Sequence, residues 1–445
     1  MNHGPNIRYI VQAGGSLQGT ARVAGDKSIS HRSIMLGALA KGTTRVTGFL
    51  EGEDSLNTLK AFKAMGVTIE GPDQGKVTIE GVGLRGLKAP KAPLDMGNSG
   101  TAMRLMSGIL AGQAFDSTLI GDASLSKRPM KRVTNPLALM GARVDSQGEK
   151  GVPPLVIHGG SPLKGIHYDL PMASAQVKSC VLLAGLYAEG ETSVTEPAPT
   201  RDHTERMLRG FGYDVKTEGN RMSLVGGGEL TATDIDVPAD ISSAAFFMVA
   251  ASIAPNSDVV LQHVGINPTR TGVIDILRLM GADISLSNEK EVGGEPVADI
   301  RVRSAQLKGI AIPESLVPLA IDEFPVLFVA AACASGTTVL TGAEELRVKE
   351  SDRIAVMATA LQQMGISATP TEDGCIIEGG QLTAPTSPIQ SHGDHRIAMA
   401  SAVAALRVNS GAVVIDDCAN VNTSFPGFVS LAAGLGLAIH QEMPA

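Results

Sequence analysis

The chain has no tryptophan, four tyrosines and ten phenylalanines in 445 residues. Stacking platforms for single-stranded nucleic acid have little to be built from. The core must be aliphatic, from Leu, Ile, Val, Ala and Met. Positive charge is also short: 37 Lys and Arg stand against 45 Asp and Glu, a net charge of −8. That balance speaks against general binding to nucleic acid or anionic membrane, and any anion site must gather its cations locally. Four cysteines, Cys180, Cys333, Cys375 and Cys418, lie far apart with no CxxC pair, the pattern of reduced, packed thiols. Long apolar runs are missing. The most apolar, Phe324 to Ala334, is too short to cross a bilayer. Met1 to Gly15 lacks the basic start and apolar core of a signal peptide. A cytoplasmic protein is expected. No GxxxxGK[ST] phosphate loop occurs.

Glycine is plentiful, with 51 residues, and 43% of the chain is hydrophobic. Six times a polar cluster introduces a strongly apolar stretch with helical character. The clusters are Lys27-Ser28, Asn98-Ser99-Gly100, Ser174-Ala175-Gln176, Ser242-Ser243, Asp322-Glu323 and His395-Arg396, at intervals of 71, 76, 68, 80 and 73 residues. A buried helix N-terminus carries unsatisfied N–H groups and partial positive charge, a seat for phosphate or carboxylate.

A second landmark repeats out of phase. Helix-like runs end at Gly66, Gly141, Gly212, Gly281, Gly365 and Gly436, each followed by an alternating, strand-like run. Glycine suits the left-handed position that closes a helix. The two series predict six α/β units, each with an apolar helix, strands, an amphipathic helix and a closing strand. Units containing βαβ imply parallel pairing and helix-covered sheets. Six units divide naturally into two domains of three. One chain crossing is expected near Asp236–Asp240.

Each cluster has a plain reading beside a functional one. Gly25-Asp26-Lys27-Ser28-Ile29-Ser30-His31-Arg32 is a capped helix with a basic turn, or two cations and two hydroxyls around an anion. Gly97-Asn98-Ser99-Gly100 is an ordinary cap, or a turn where Gly100 admits a ligand to the backbone. Ser126 to Arg132 holds four cations, usually a solvated face. Arg128, stiffened by Pro129, is the better ligand candidate. Ser174 and Gln176 cap a helix or bond a polyhydroxy ligand, and Arg201 adds a cation. Asp322 and Glu323 cap a helix, or one of them accepts a proton. Lys349, Glu350 and Arg353 form an exposed salt-bridged helix or part of a site. His392 and His395 beside Asp394 have no further ligand cluster, so anion binding is favoured over metal.

Taken in series, GDKSISHR, LEGED, GN-x-GTAMR, GDASLSKRPM, PMASAQVKS, TRDHTE, NPTRTG, DEFP, LRVKESDR, GDHRIAM and TSFP resemble the 5-enolpyruvylshikimate-3-phosphate (EPSP) synthase family, closer to its class II bacterial members. The resemblance runs from about residue 16 to 435. It implies the two-domain enolpyruvyl transferase fold: six βαβαββ repeats in two pseudo-threefold domains around an interdomain cleft. One domain would combine residues 1–25 and 238–445, and the other would be the insertion 26–237, with crossings near 24–27 and 236–240. The implied reaction transfers the enolpyruvyl group of phosphoenolpyruvate to the 5-hydroxyl of shikimate 3-phosphate and releases phosphate. It requires no cofactor and no metal.

Carried over by residue, the resemblance assigns Lys27, Ser28, Arg32, Ser174, Ala175, Gln176, Arg201, Asp322 and Lys349 to shikimate 3-phosphate. It assigns Lys27, Gly100, Arg128, Gln176, Arg353 and Arg396 to phosphoenolpyruvate. Asp322 would accept the 5-hydroxyl proton, with Lys27 and Glu350 as candidates for proton traffic at the enol carbon. Thr423 and Leu105 stand where class I members have Lys and Pro. Gly100, where glyphosate-tolerant class II enzymes have Ala, would leave room for glyphosate as an inhibitor. The resemblance implies a monomer, with neither nucleic acid nor membrane as partner. A related transferase acting on UDP-N-acetylglucosamine shares the scaffold, but its entry motif and reactive loop Cys are not seen. A non-catalytic anion-binding or RNA-associated module is the rival of another class. Its broad basic or aromatic surface is also lacking.

Overall fold

The computed structural model describes residues 6–444. Two compact units emerge. The first contains the chain up to Ala24, Ala239–Lys290 and everything from Pro296. The second contains Gly25–Pro238 and Glu291–Glu295.

Thirteen helices occur among the described residues. They are α1 (Lys27–Leu39), α2 (Glu53–Ala64), α3 (Gly100–Ala111), α4 (Lys131–Leu139), α5 (Ala175–Gly185), α6 (His203–Gly210), α7 (Ile241–Ile253), α8 (Gly272–Leu279), α9 (Phe324–Cys333), α10 (Arg353–Gln363), α11 (His395–Ala404), α12 (Val421–Ser424) and α13 (Phe428–Leu435). The six apolar stretches are α1, α3, α5, α7, α9 and α11. Every residue of α7 is buried, as a helix apolar on all sides requires. The six glycines that close the second helices all have φ between +80° and +124°.

The repeats are variations on one plan. In one, Leu94–Asp95 leads to α3, Ser117–Ile120, α4, Arg143–Gln147 and Val152–His158. The short first strand pairs parallel with the strand after the buried helix, and the last two strands add antiparallel. The sheets are therefore mixed: the parallel pairing expected of βαβ units is present, and antiparallel strands are added to it. The closing strand and its successor form a hairpin, and a hairpin can pair only antiparallel.

Three repeats borrow distant strands. In the second unit, Ile235–Asp236 supplies the parallel strand beside Lys41–Thr47. In the first, Arg8–Gln12 lies between Ala412–Asp416 and Ile439–Glu442, antiparallel to both. Gln18–Ala21 pairs parallel with Asp258–Gly265.

Each unit has one aliphatic core. In the first, α7, α9 and α11 pack on one another. In the second, α3 meets α5 so closely that a Cβ at Gly108 would lie 2.3 Å from the Cys180 carbonyl oxygen. Close packing of the inner helices leaves their N-termini, rather than their flanks, as the places where polar groups can gather. Among the described residues no helix is long and apolar enough to cross a membrane.

Candidate functional site

In the second unit, Asp26 caps α1, accepting from Ile29 N at 2.9 Å. Lys27 Nζ lies 2.5 Å from Asp54 Oδ2 and is about one-third exposed. Asp54 belongs to the LEGED segment, to which sequence reasoning gave no task. Arg32 lies one turn further and is buried. Its Nε donates to Thr204 Oγ1 at 2.8 Å, NH1 to the Ser28 carbonyl at 3.0 Å and NH2 to Ser179 Oγ at 3.2 Å. Burial pushes its pKa down to about 10, so it remains cationic at neutral pH. Arg201 is near enough to lower that value further. His31 faces inward to Thr58 Oγ1 at 2.8 Å, and burial, helped by Lys27 and Arg32, brings it down to about 3. It is a neutral core histidine.

The starts of α3 and α5 are joined by a side chain the sequence reading left without a role. Arg104 NH1 donates to Gln176 Oε1 at 2.6 Å, and Gln176 Nε2 donates to Thr101 Oγ1 at 2.9 Å. Arg128 turns inward from its basic run, with NH2 donating to Asn98 Oδ1 at 3.0 Å, while Lys127, Lys131 and Arg132 are exposed. A Cβ on Gly100 would lie 2.7 Å from Arg104 NH1 and 3.2 Å from Arg128 NH1. Gly100 is therefore the floor on which two guanidinium groups converge. Ser174 caps α5, accepting from Val177 N at 3.3 Å, and Ala175 is the first residue of the helix. Beneath them Lys178 is fully buried, its Nζ 2.8 Å from Glu196 Oε1 and 3.0 Å from Glu205 Oε2.

In the first unit the two acids before α9 separate. Glu323 is buried. The Asp322 carboxylate faces cations: Arg353 NH1 at 3.3 Å and Lys349 Nζ at 3.6 Å from Oδ1. Arg396 NH1 donates to the Asp322 carbonyl at 3.3 Å. Lys349 and Glu350 are not in a helix, since α10 begins only at Arg353. Arg353 is 2% exposed. Its NH2 donates to Glu350 Oε2 at 2.7 Å, and its Nε donates to Asp394 Oδ2 at 2.9 Å. Burial alone would push the Glu350 carboxyl up, but Arg353, His395 and Arg396 outweigh it and hold the group below its usual range. His395 is lowered to about 3 by burial and by Arg396. Among the described residues no group of three or more His, Cys, Asp or Glu is placed to hold a metal ion.

Asp322, Lys349, Glu350, Arg353 and Arg396 are thus one cluster within the first unit. Within the second, Gly100, Arg128 and Gln176 form one cluster, and Ser28 and Arg32 another beside Ser179 of α5. The EPSP synthase (3-phosphoshikimate 1-carboxyvinyltransferase) family profile matches residues 11–431. The chain belongs to the EPSP synthase family. A relative from Hydrogenovibrio crunogenus, named 3-phosphoshikimate 1-carboxyvinyltransferase, is 70% identical over 98% of both chains. One of the same name from Methylococcus capsulatus is 66% identical over 98% of this chain and 99% of its own. A solved EPSP synthase from Acinetobacter baumannii is similar with a TM-score of 0.93 and 64% identity, covering 98% of this chain and 100% of that one. The family's two-domain α/β fold accounts for the six repeats.

The clusters hold members that the sequence reading assigned to neither substrate. Asp54, Arg104 and Asp394 each pair with a residue it did assign, but lie 27, 72 and 41 positions from their partners. All three sit inside family motifs, which was the only signal available.

Proposed function

We propose that this chain transfers the enolpyruvyl group of phosphoenolpyruvate to the 5-hydroxyl of shikimate 3-phosphate, with release of phosphate, in aromatic amino-acid biosynthesis. The observation that carries this is the cluster around Asp322, where the carboxylate meets Lys349 and Arg353 and the backbone carbonyl accepts from Arg396. Two phosphates and two carboxylates must be neutralised, and one hydroxyl must lose a proton. Lys27, Ser28, Arg32, Ser174, Ala175, Gln176, Arg201 and Lys349 hold shikimate 3-phosphate. Lys27, Gly100, Arg128, Gln176, Arg353 and Arg396 hold phosphoenolpyruvate.

Asp322 takes the 5-hydroxyl proton as that oxygen bonds to C2 of the enol, and C3 gains a proton. The tetrahedral intermediate then breaks its C2–O bond to phosphate and loses a proton from C3. Glu350, kept ionised by Arg353, suits removal of that proton. Lys27, paired with Asp54, suits its delivery. Arg353 is already engaged by three carboxylates, so Arg396 and Arg128 carry the more accessible charge for the donor. The enzyme is cytoplasmic. Burial pushes Cys333 and Cys418 up to about 12 and Cys375 up to about 11, which keeps these thiols unreactive. The protein works as a monomer, and glyphosate competes for the donor site.

Phosphate release with both substrates, then with either omitted, tests the reading. Release only with the pair is expected. Turnover with UDP-N-acetylglucosamine in place of shikimate 3-phosphate would overturn it.

A further inference from the structure

We propose that Arg270 is a positioning residue for Asp322, acting through Ser242 and Glu323. This rests on the reading of Asp322 as the proton acceptor.

Arg270 lies in the segment Asn267-Pro268-Thr269-Arg270-Thr271-Gly272, just before α8. Its turn is held locally. Thr269 N and Oγ1 donate to Asn267 Oδ1 at 3.0 and 2.7 Å, and Arg270 N donates to the Asn267 carbonyl at 2.8 Å. The Arg270 side chain is 6% exposed. From NH2 it donates to Asp240 Oδ1 and to Ser242 Oγ, both at 2.9 Å. Ser242 Oγ in turn donates to Glu323 Oε1 at 2.9 Å. A chain of charge-assisted hydrogen bonds therefore runs from Arg270, across the start of α7, to the residue that follows Asp322.

That residue closes a 3₁₀ turn, Pro318–Glu323, from which Asp322 projects. Turns of this kind have poorer hydrogen-bond geometry than an α-helix and hold position weakly by themselves. The rest of the turn is braced by α8. A Cβ at Gly272 would lie 2.8 Å from the Leu319 carbonyl carbon and 2.9 Å from the Leu316 carbonyl oxygen, so the helix start presses on the turn with no space between. On the opposite side, Asp322 meets Arg353, Lys349 and Arg396. Arg353 and Lys349 attract the carboxylate, and Arg396 holds the Asp322 carbonyl from the same side. Glu323, anchored through Ser242 to Arg270, fixes the other side of that backbone. Proton transfer requires the acceptor within hydrogen-bond reach of the hydroxyl. A displacement of this anchor moves Asp322 without removing it.

Ser242→Ala and Arg270→Met, each alone and each combined with Asp322→Asn, test the inference through kcat, both KM values and thermal unfolding. Each single variant is expected to lower kcat by about 10- to 100-fold with little change in either KM. In the Asp322→Asn background neither should lower kcat further, since the residue being positioned is already disabled. Arg270→Lys should recover part of the loss. Ser242→Ala deletes one hydroxyl and leaves the Arg270–Asp240 pair, so it reports even where Arg270→Met does not fold. Undiminished kcat in both single variants, beside a crippled Asp322→Asn, would overturn the positioning role alone. So would losses that multiply with that of Asp322→Asn. An Asp322→Asn enzyme with full kcat would overturn both the role of Asp322 and this one.

Discussion

Arg353 and Asp394 form a buried ion pair, Nε to Oδ2 at 2.9 Å, with side chains 2% and 0% exposed. Asp394 also caps α11 through Arg396 N at 3.0 Å and accepts from Ser351 Oγ at 2.8 Å. The start of α10 is thereby tied to the start of α11. Burial by itself would raise the Asp394 carboxyl, but Arg353 and Ser351 hold it below the usual range. Such a group stabilises the fold above its unfolded pKa of about 3.9, and the contribution disappears as pH falls through the folded value. Asp394→Ala leaves Arg353 buried without its main counterion and should cost about 3–5 kcal/mol at neutral pH. Denaturant unfolding of both proteins should show that gap at pH 7 and a smaller one in acid. A gap that is constant with pH would contradict the ion-pair account.

Asp322→Asn keeps the shape of the side chain and removes its capacity as a base. Its kcat should fall by about 10²- to 10⁴-fold, far more than the KM for shikimate 3-phosphate changes. Pre-steady-state phosphate release, read beside binding of each substrate alone, separates the two effects. A loss confined to binding would leave proton transfer to another group.

Gly100→Ala alters the pocket floor rather than the backbone. The new methyl would sit 2.7 Å from Arg104 NH1, so that guanidinium must move and its bond to Gln176 must loosen. The site bends at the flexible ends of two side chains, and alanine favours a helix by about 0.5–1 kcal/mol over glycine. The melting temperature should therefore hold or rise. The KM for phosphoenolpyruvate and the inhibition constant for glyphosate should both increase, with glyphosate affected more. Steady-state inhibition decides this, and an unchanged glyphosate constant would remove Gly100 as a determinant.

His31 and His395 should make the fold acid-sensitive well before the carboxylates titrate. Burial is the chief cause of lowering in both, with Lys27 and Arg32 adding at His31 and Arg396 at His395; each is brought to about 3. The unfolded chain protonates its histidines below about pH 6.5, and the folded chain does not until about 3. Stability is complete above about 6.5 and falls by up to about 1.4 kcal/mol per pH unit for each histidine as pH drops toward 3. His31→Gln should remove one proton from the slope of unfolding free energy between pH 6 and 5. An unaltered slope would mean that His31 titrates normally in the folded chain.

Sequence reading went furthest with the six apolar helices and the six closing glycines. Both are local: apolarity around a whole helix predicts burial, and a left-handed residue after it predicts glycine. The parallel pairing expected of βαβ units is found, but the antiparallel partners were not legible, because the period does not show which neighbour a closing strand will choose. The pairing partners of the borrowed strands Arg8–Gln12 and Ile235–Asp236 were hidden for the same reason. At the candidate site the named residues came from motifs. Their pairings did not, because Lys178 gives no sign in the sequence that it faces Glu196 and Glu205.

By itself the sequence determined the repeat, the buried helices and the polar clusters at their starts, because these depend on spacing and side-chain chemistry within a few turns. Only tertiary structure decided which acid at the start of α9 meets cations and which is tied to Ser242. Asp322 and Glu323 are adjacent and equally charged. Their environments differ because residues about 30 to 80 positions away arrive at different sides of one turn.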